Sequence, residues 1–155
     1  MKVQKIDIGN YQYRYILLDD QFNVVDPVKR YLKFLDNSDK AENTLKNYAY
    51  HLKAYFEYLN EIGITYDEIS SEGINPIEIL GNFASWLETP TILNEKISYL
   101  SPPEPKRSNQ TINLIIIAVL GFYEFLSRGN ELPELDVYKE QRMNPQFKKF
   151  LHELV

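Results

Sequence analysis

The chain has 155 residues, which suits one domain and a tail with a sizeable core but leaves no room for a second full domain. It contains no cysteine, and this excludes a disulfide framework and a thiolate metal site. Its formal net charge of −5 argues against strong phosphate binding, which depends on lysine and arginine.

Residues 1–25 are predicted to form a β-hairpin arm. Two short strands, at residues 3–8 and 11–18, flank Gly9 and Asn10, a pair that suits a tight turn. Alternate residues of the second strand fall on one face: Tyr11, Tyr13, Tyr15 and Leu17. Because an isolated hairpin is marginally stable in water, the arm must pack on the rest of the molecule, pack on a partner or stay mobile. The sequence does not choose among the three.

Residues 26–130 are predicted to form a helical bundle. Asp26 suits the N-cap of a short first helix, with Pro27 at the first helical position. The third helix is predicted to start in the same way at Asn75 and Pro76, with Glu78 placed to reach back as in a capping box. Both starts are followed by apolar residues at helical spacing.

The second and fourth predicted helices share a register. Residues 44–59 and 111–126 both place apolar side chains at i, i+3, i+4 and i+7, and both end in an aromatic-rich segment with a central glutamate. Extra apolar residues in the later segment indicate that it is the central helix. Gly63 and Gly129, just beyond the two segments, are predicted to close the helices in the left-handed conformation.

Two further segments complete the chain. Residues 89–107 are predicted to form a proline-rich loop that leads to Ser108, the natural N-cap of the fourth helix. Residues 131–155 are predicted to be an interdomain linker with a weak helical tail at 145–155. Since this tail has little of its own to pack against, we expect the chain to continue into a further domain.

Catalytic chemistry has no support in the sequence. There is no glycine-rich phosphate loop, no nucleophile with an evident histidine partner and no spaced metal motif, so we expect no catalytic residue, no metal and no cofactor. His51 lies on the polar side of its predicted helix, where a solvated histidine is the simpler interpretation and a DNA contact the alternative. No signal peptide or membrane span is predicted, because no apolar run reaches about 20 residues.

The polar starts of the second and fourth helices are the remaining candidates for function. Helix N-termini present unsatisfied N–H groups and can bind phosphate without many basic residues. The two helix starts, residues 41–44 and 108–111, stand at matching places, and Lys106 and Arg107 precede the second. Capping and a solvated face explain each residue individually, but the repetition in register favours a binding role.

These residues resemble the N-terminal core-binding domain of tyrosine recombinases and phage integrases. The likeness covers residues 27–128 and is greatest to the integrases and transposase-A-type recombinases of mobile elements in Gram-positive bacteria. It depends on Asn43-Thr44-Leu45 with Tyr48, Leu52, Phe56 and Leu59, on Ser108-Asn109-Gln110-Thr111-Ile112-Asn113, and on the closing residues 122–128.

The resemblance implies a mainly α fold, a four-helix SAM-like bundle preceded here by the hairpin, that clamps double-stranded DNA. It implies DNA contacts from the second helix at Thr44, Lys46, Asn47 and Tyr50. From the fourth helix it implies contacts at Lys106, Arg107, Ser108, Gln110, Thr111 and Asn113.

The resemblance also implies a cytoplasmic bacterial protein that acts with other recombinase protomers in DNA recombination or integration. Family catalysis needs a His-x-x-Arg pair and a nucleophilic tyrosine in a following domain. Neither His51 nor His152 has an arginine three positions on, so we expect this chain not to cleave DNA. The alternative is a helical protein-interaction module that does not bind DNA, which the net acidity favours.

Overall fold

A computed structural model describes residues 1–88 and 107–135. The proline-rich segment before Arg107, including Lys106, and the predicted tail helix lie outside the described residues. The described elements follow the predicted order, a hairpin and then helices. They are β1 (Lys2–Gly9), β2 (Gln12–Leu18), α1 (Asp26–Asn37), α2 (Glu42–Ile62), a 3₁₀ helix (Tyr66–Ser70), α3 (Pro76–Glu88) and α4 (Asn109–Arg128).

The hairpin packs on the bundle. β1 and β2 are antiparallel, and Tyr15 and Leu17 of β2 are buried against α1 and α2. The turn lies one residue later than predicted, because Asn10 and Tyr11 both have positive φ, 54° and 59°. Tyr11 is therefore 93% exposed in the turn instead of belonging to the inner face.

The helix starts confirm some predicted caps and correct others. Asn75 caps α3, since its side-chain oxygen accepts the N–H of Ile77 at 3.0 Å. Asp26 does not cap α1, because Val25 holds the N-cap position and Asp26 is already the first helical residue; its carboxylate accepts from Arg30 at 2.8 Å, one turn later. A capping box that the sequence analysis missed opens the 3₁₀ helix, where Glu68 accepts the N–H of Thr65.

Of the two predicted helix ends, one is confirmed and one is wrong. Gly63 closes α2 at φ 77°, as predicted. The prediction for Gly129 is wrong, because its φ is −82° and the left-handed residue is Asn130 at φ 59°. Asparagine tolerates this conformation better than most residues, so the turn closes one position later.

α4 is the central helix, as its apolar sequence predicts. Ile112, Ile116, Val119 and Phe122 have no exposed surface. By length and composition α4 would also suit a membrane span, which the sequence analysis did not expect. Its packing against α1, α2 and α3 accounts for the same apolar composition, because the core helix of a bundle must be apolar on several sides.

Arg30 connects the two ends of the bundle. Its guanidinium forms ion pairs with Asp26 within α1 and with Glu131, just beyond α4. The second Glu131 oxygen accepts from the same guanidinium at 3.1 Å, which makes the pair bidentate. Leu132 and Leu135 pack against the core close by. The segment after α4 is therefore attached to α1.

A chain of tyrosine hydrogen bonds crosses the core between α2 and α4. The hydroxyl oxygens of Tyr55 and Tyr123 are 2.6 Å apart, and Tyr123 donates to the carbonyl of Tyr66 at 2.9 Å. Tyr55 is thus the donor to Tyr123. Burial raises the pKa of both hydroxyls above the ordinary value, so both stay protonated.

We expect Tyr123→Phe to lower the free energy of unfolding by about 1–3 kcal/mol, because it leaves the Tyr55 hydroxyl and the Tyr66 carbonyl unpaired. Tyr55→Phe removes a single donor and should cost about 1 kcal/mol. Urea denaturation measures both, with Tyr11→Phe in the exposed turn as the control. Equal costs for Tyr123→Phe and the control would contradict the hydrogen-bond chain.

Gly121 lets α1 approach α4 closely. A Cβ atom at this position would lie 2.6 Å from the Tyr31 hydroxyl oxygen, well inside van der Waals contact, and 3.7 Å from the ring carbon that bears it. Tyr31 is buried among the rings of Tyr48, Phe122 and Phe125, which restrict its movement. The hydroxyl thus occupies the space that a larger residue at 121 would need.

Gly121→Ala should therefore destabilise the protein by about 1–3 kcal/mol through overpacking. In a Tyr31→Phe background the same change should become neutral or stabilising, since alanine is favoured over glycine in a helix by about 1 kcal/mol. A thermal-unfolding double-mutant cycle measures this reversal. Identical effects in both backgrounds would show that the Tyr31 hydroxyl does not limit the size of the residue at position 121.

Candidate nucleic-acid interface

The first half of α2 has a polar edge on its outer side. Lys46, Asn47 and Tyr50 are exposed, whereas Leu45 and Ala49 on the opposite side are buried. The helical period produces this division, because the exposed residues recur at i, i+1 and i+4 between the core positions. Thr44, in the first turn, is half-buried. We call Thr44, Lys46, Asn47 and Tyr50 the α2 edge.

The start of α4 is capped and exposed. Ser108 is the N-cap, as predicted, and its hydroxyl accepts the Thr111 N–H at 3.1 Å. Ser108, Gln110 and Thr111 are exposed, and the first turn contains no acidic residue. The first N–H groups of a helix point along its axis and carry partial positive charge, so this end suits an anion. By contrast, α2 has Glu42 in its first turn.

Arg107 is positioned by α3. Its guanidinium donates to the carbonyl of Leu87 at 3.2 Å, at the C-terminal end of α3, while the residue stays exposed. A helix C-terminus carries partial negative charge and attracts a cation. This contact holds the arginine next to the start of α4. Lys106 lies outside the described residues, so its predicted contact stays a prediction.

Asn113 does not lie on the exposed side of α4. Its residue is only 9% exposed, between the core positions Ile112 and Ile116. The helical period explains the burial, because Asn113 lies three residues before Ile116 and shares its face. The expectation of a surface contact at Asn113 is therefore corrected. Exposed neighbours on α4 are Gln110, Leu114 and Ile117.

The α2 edge and the start of α4 are connected through the core. The two helices meet where Tyr55 contacts Tyr123 and where the rings of Phe56 and Phe122 lie 5.9 Å apart. Both helix starts lie 13 or 14 residues before this contact, which is about 20 Å at 1.5 Å per residue. One rigid core thus fixes both polar regions.

His51 is half-buried beside the ring of Tyr48, at 6.2 Å between centroids, and is not the solvated histidine of the simpler interpretation. Burial lowers its pKa below the ordinary value, because desolvation disfavours the charged form. Nearby Lys53 forms an ion pair with Glu57 at 3.2 Å. The outer side of α2 therefore carries less unpaired positive charge than a count of its lysines indicates.

The lowered pKa of His51 predicts a pH dependence of folding. The unfolded chain takes up a proton near the ordinary pKa of about 6.5, before the folded chain does. The contribution of His51 to the free energy of unfolding should be fully present above that pH. It should be lost as the pH falls through the lowered pKa of the folded state. Chemical denaturation as a function of pH should show a shallower decline for His51→Gln, and an unchanged slope would contradict this role.

Taken together, the fold defines a small helical bundle with an N-terminal hairpin and a polar edge on two packed helices. In the described ranges no group of three or more potential metal-ligating side chains comes together. The model of the family described as phage integrase, N-terminal SAM-like domain, matches residues 28–130. The chain belongs to this family, and the predicted mainly α, SAM-like fold and the family resemblance are both confirmed.

Relatives extend the match to nearly the whole chain. The chain is 36% identical over 153 residues to transposase A from transposon Tn554 of Staphylococcus aureus strain Mu50. It has the same identity to the protein of that name from strain N315. The alignment covers 98% of this chain and 40% of each relative. The chain thus spans less than half the length of these relatives. No solved structure matches it significantly.

Proposed function

We propose that this chain is the DNA-binding domain of a site-specific tyrosine recombinase or transposase, and that it clamps one side of duplex DNA. The observation that carries the proposal is the α2 edge, where Lys46, Asn47 and Tyr50 are exposed together on a helix fixed by the core. Lysine supplies a phosphate contact, and asparagine can donate to and accept from a base edge.

The start of α4 supplies the second contact in this proposal. Exposed Ser108, Gln110 and Thr111 surround a helix N-terminus that favours a phosphate, and Arg107 lies next to it. Phosphate contacts of this kind position the duplex without reading its sequence, whereas Asn47 and Gln110 can read base edges. In this proposal both regions engage the same DNA, and the contact between α2 and α4 holds them in one body.

Strand cleavage, in this proposal, belongs to groups outside this chain. The relatives are more than twice as long, and the sequence contains no His-x-x-Arg pair. Residues 1–25 form an arm, 26–130 the DNA-binding domain, and 131–155 lead toward a catalytic domain that would clamp the other side. The complete recombinase would act on DNA in the bacterial cytoplasm, together with other protomers.

Isolated binding should be weak. The net charge of −5 opposes DNA at long range, and Lys53 is already paired with Glu57. Few phosphate contacts remain, so we expect affinity in the non-specific range, roughly 10⁻⁴ to 10⁻⁶ M at physiological salt. Fluorescence anisotropy on a labelled random duplex, titrated from low salt upward, measures both the affinity and its salt dependence.

Lys46→Ala should weaken binding several-fold and lower the slope of log K against log salt by about 1, the loss of one phosphate contact. Arg107→Glu should have a larger effect, because it adds a repulsive charge. Lys33→Ala, at an exposed position of α1, is the matched control and should leave both quantities unchanged. An unchanged salt slope for Lys46→Ala and Arg107→Glu would show that the docking face lies elsewhere.

A protein-interaction module is the second candidate. A cleft of about 410 Å³ opens between α1 and α4, with an aromatic floor of Tyr31, Phe34 and Phe125 and a charged rim that includes Arg30 and Arg128. Phe34 is 44% exposed there. Such a cleft suits an apolar side chain of a partner protein. Absence of DNA binding at low salt, from a folded sample, would make this candidate the better one.

A further inference from the structure

One edge of the hairpin is open for another strand. In an antiparallel pair, opposed residues alternate between those that exchange hydrogen bonds and those that direct their N–H and C=O groups outward. The Leu17 carbonyl accepts from the Val25 N–H at 2.9 Å, so it faces away from β1. Leu17 is opposite Val3, and Val3, Lys5 and Asp7 therefore direct their backbone groups away from β2.

A second contact supports this assignment. The side-chain amide of Gln4 donates to the Lys5 carbonyl at 3.0 Å, at an exposed position. A side chain thus occupies an acceptor that a neighbouring strand would otherwise use. In the described part of the chain β1 pairs with β2 alone, so its outer edge has no partner strand. Unpaired edges of this kind accept added strands.

We propose that this edge binds β1 of a second copy of the chain, antiparallel and related by a two-fold axis at Ile6. Charge complementarity favours this register. Pairing about Ile6 sets Lys5 opposite Asp7 of the second copy and Asp7 opposite its Lys5, which gives two attractive cross-strand pairs. Pairing about Lys5 or about Asp7 would place like charges opposite each other.

The backbone pattern fits the same register. Lys5 and Asp7 both direct their backbone groups outward, so as an opposed pair they exchange two hydrogen bonds. Ile6 meets its copy at the closer, non-hydrogen-bonded position, where two aliphatic side chains pack. Ile6 is 37% exposed and Ile8 50% exposed, so pairing removes apolar surface from water.

The outer edge of the hairpin is accessible to a second copy. Residues 5–12 are exposed, whereas Tyr15 and Leu17, nearer the base, are buried against the helices. Arg14, opposite Ile6 on β2, pairs with Asp36 of α1 at 2.8 Å, so the helices reach this level of the hairpin and the accessible part is the outer edge of β1. Antiparallel pairing of two tips points the two bases in opposite directions and places the bundles at opposite ends of a four-stranded sheet. Each copy uses the same surface, as a closed two-fold dimer requires.

Such a contact is small and therefore weak in free solution. It becomes effective when two copies are held near each other, because the local concentration then replaces the bulk concentration. It does not depend on the proposed DNA face, which uses other elements. Self-association and DNA binding can thus be tested separately.

Charge exchange tests the proposal in the 155-residue chain. Lys5→Glu and Asp7→Lys each turn both attractive pairs into repulsive ones, and each should weaken self-association about tenfold or more in sedimentation equilibrium. An equimolar mixture of the two variants restores opposite charges at both pairs and should associate at least as well as the unmodified chain. Lys2→Glu, outside the charge pairs, is the matched control and should associate like the unmodified chain.

Cysteine cross-linking provides a second test that leaves the charged residues intact. The chain has no cysteine, so Ile6→Cys introduces a single thiol that faces its own copy across the axis. In a glutathione buffer it should form a covalent dimer at least about tenfold faster than Gln4→Cys, which lies two residues from the axis on the same face. Far-UV circular dichroism and amide spectra check that the hairpin stays folded.

Two results would overturn the proposal. One is a chain that stays monomeric up to millimolar concentration and gives equal cross-linking at positions 6 and 4. The other is self-association that Lys5→Glu, Asp7→Lys and Lys2→Glu all leave unchanged, since the contact would then lie on a different surface. Restored association in the mixture together with selective cross-linking at position 6 would establish the paired edge.

Discussion

The contact between α2 and α4 is the constraint on which the rest of the molecule depends. Tyr55, Phe56, Phe122 and Tyr123 fill the space between the two helices, and the hydroxyl of Tyr123 extends the contact to the 3₁₀ helix. A buried hydroxyl must find a partner, so these hydrogen bonds also fix the rotation of each helix about its axis. The direction of the α2 edge follows from that rotation.

The same core explains how an acidic chain can present the polar surface that we propose for DNA. Each helix buries its apolar stripe, and the side chains that remain outside differ from one helix to the next. On α2 they include Lys46 and Asn47, and at the start of α4 the backbone itself supplies positive charge. Net charge governs attraction at a distance, whereas the local arrangement governs contact.

Much of the architecture could be predicted from the sequence, because helical periodicity and proline-marked helix starts report on local structure. The caps at Ser108 and Asn75 and the closure at Gly63 are confirmed for that reason. The errors at Asp26 and Asn113 have another origin. The first helix begins one residue earlier than predicted, with Val25 at the N-cap and the Asp26 carboxylate paired with Arg30, and the packing of α4 in the core buries Asn113.

The candidate site was therefore predictable as a region but not residue by residue. Exposure at a helix start depends on neighbouring elements that periodicity does not describe. Arg107 shows this, because α3 supplies the carbonyl that holds it. The packing of the hairpin was open in the sequence for the same reason, since the burial of Tyr15 and Leu17 depends on where α1 and α2 lie.

The Arg30 ion pair with Glu131 has a consequence for any domain that follows. Because Glu131, Leu132 and Leu135 are held on the bundle, any connection to a following domain departs from Leu135 and not from the end of α4. A flexible chain spans roughly 5–6 Å times the square root of its residue number, so the held residues do not add to its reach. By holding residues 131–135, the bundle reduces the distance that a following domain can move away from it and the volume that this domain can sample.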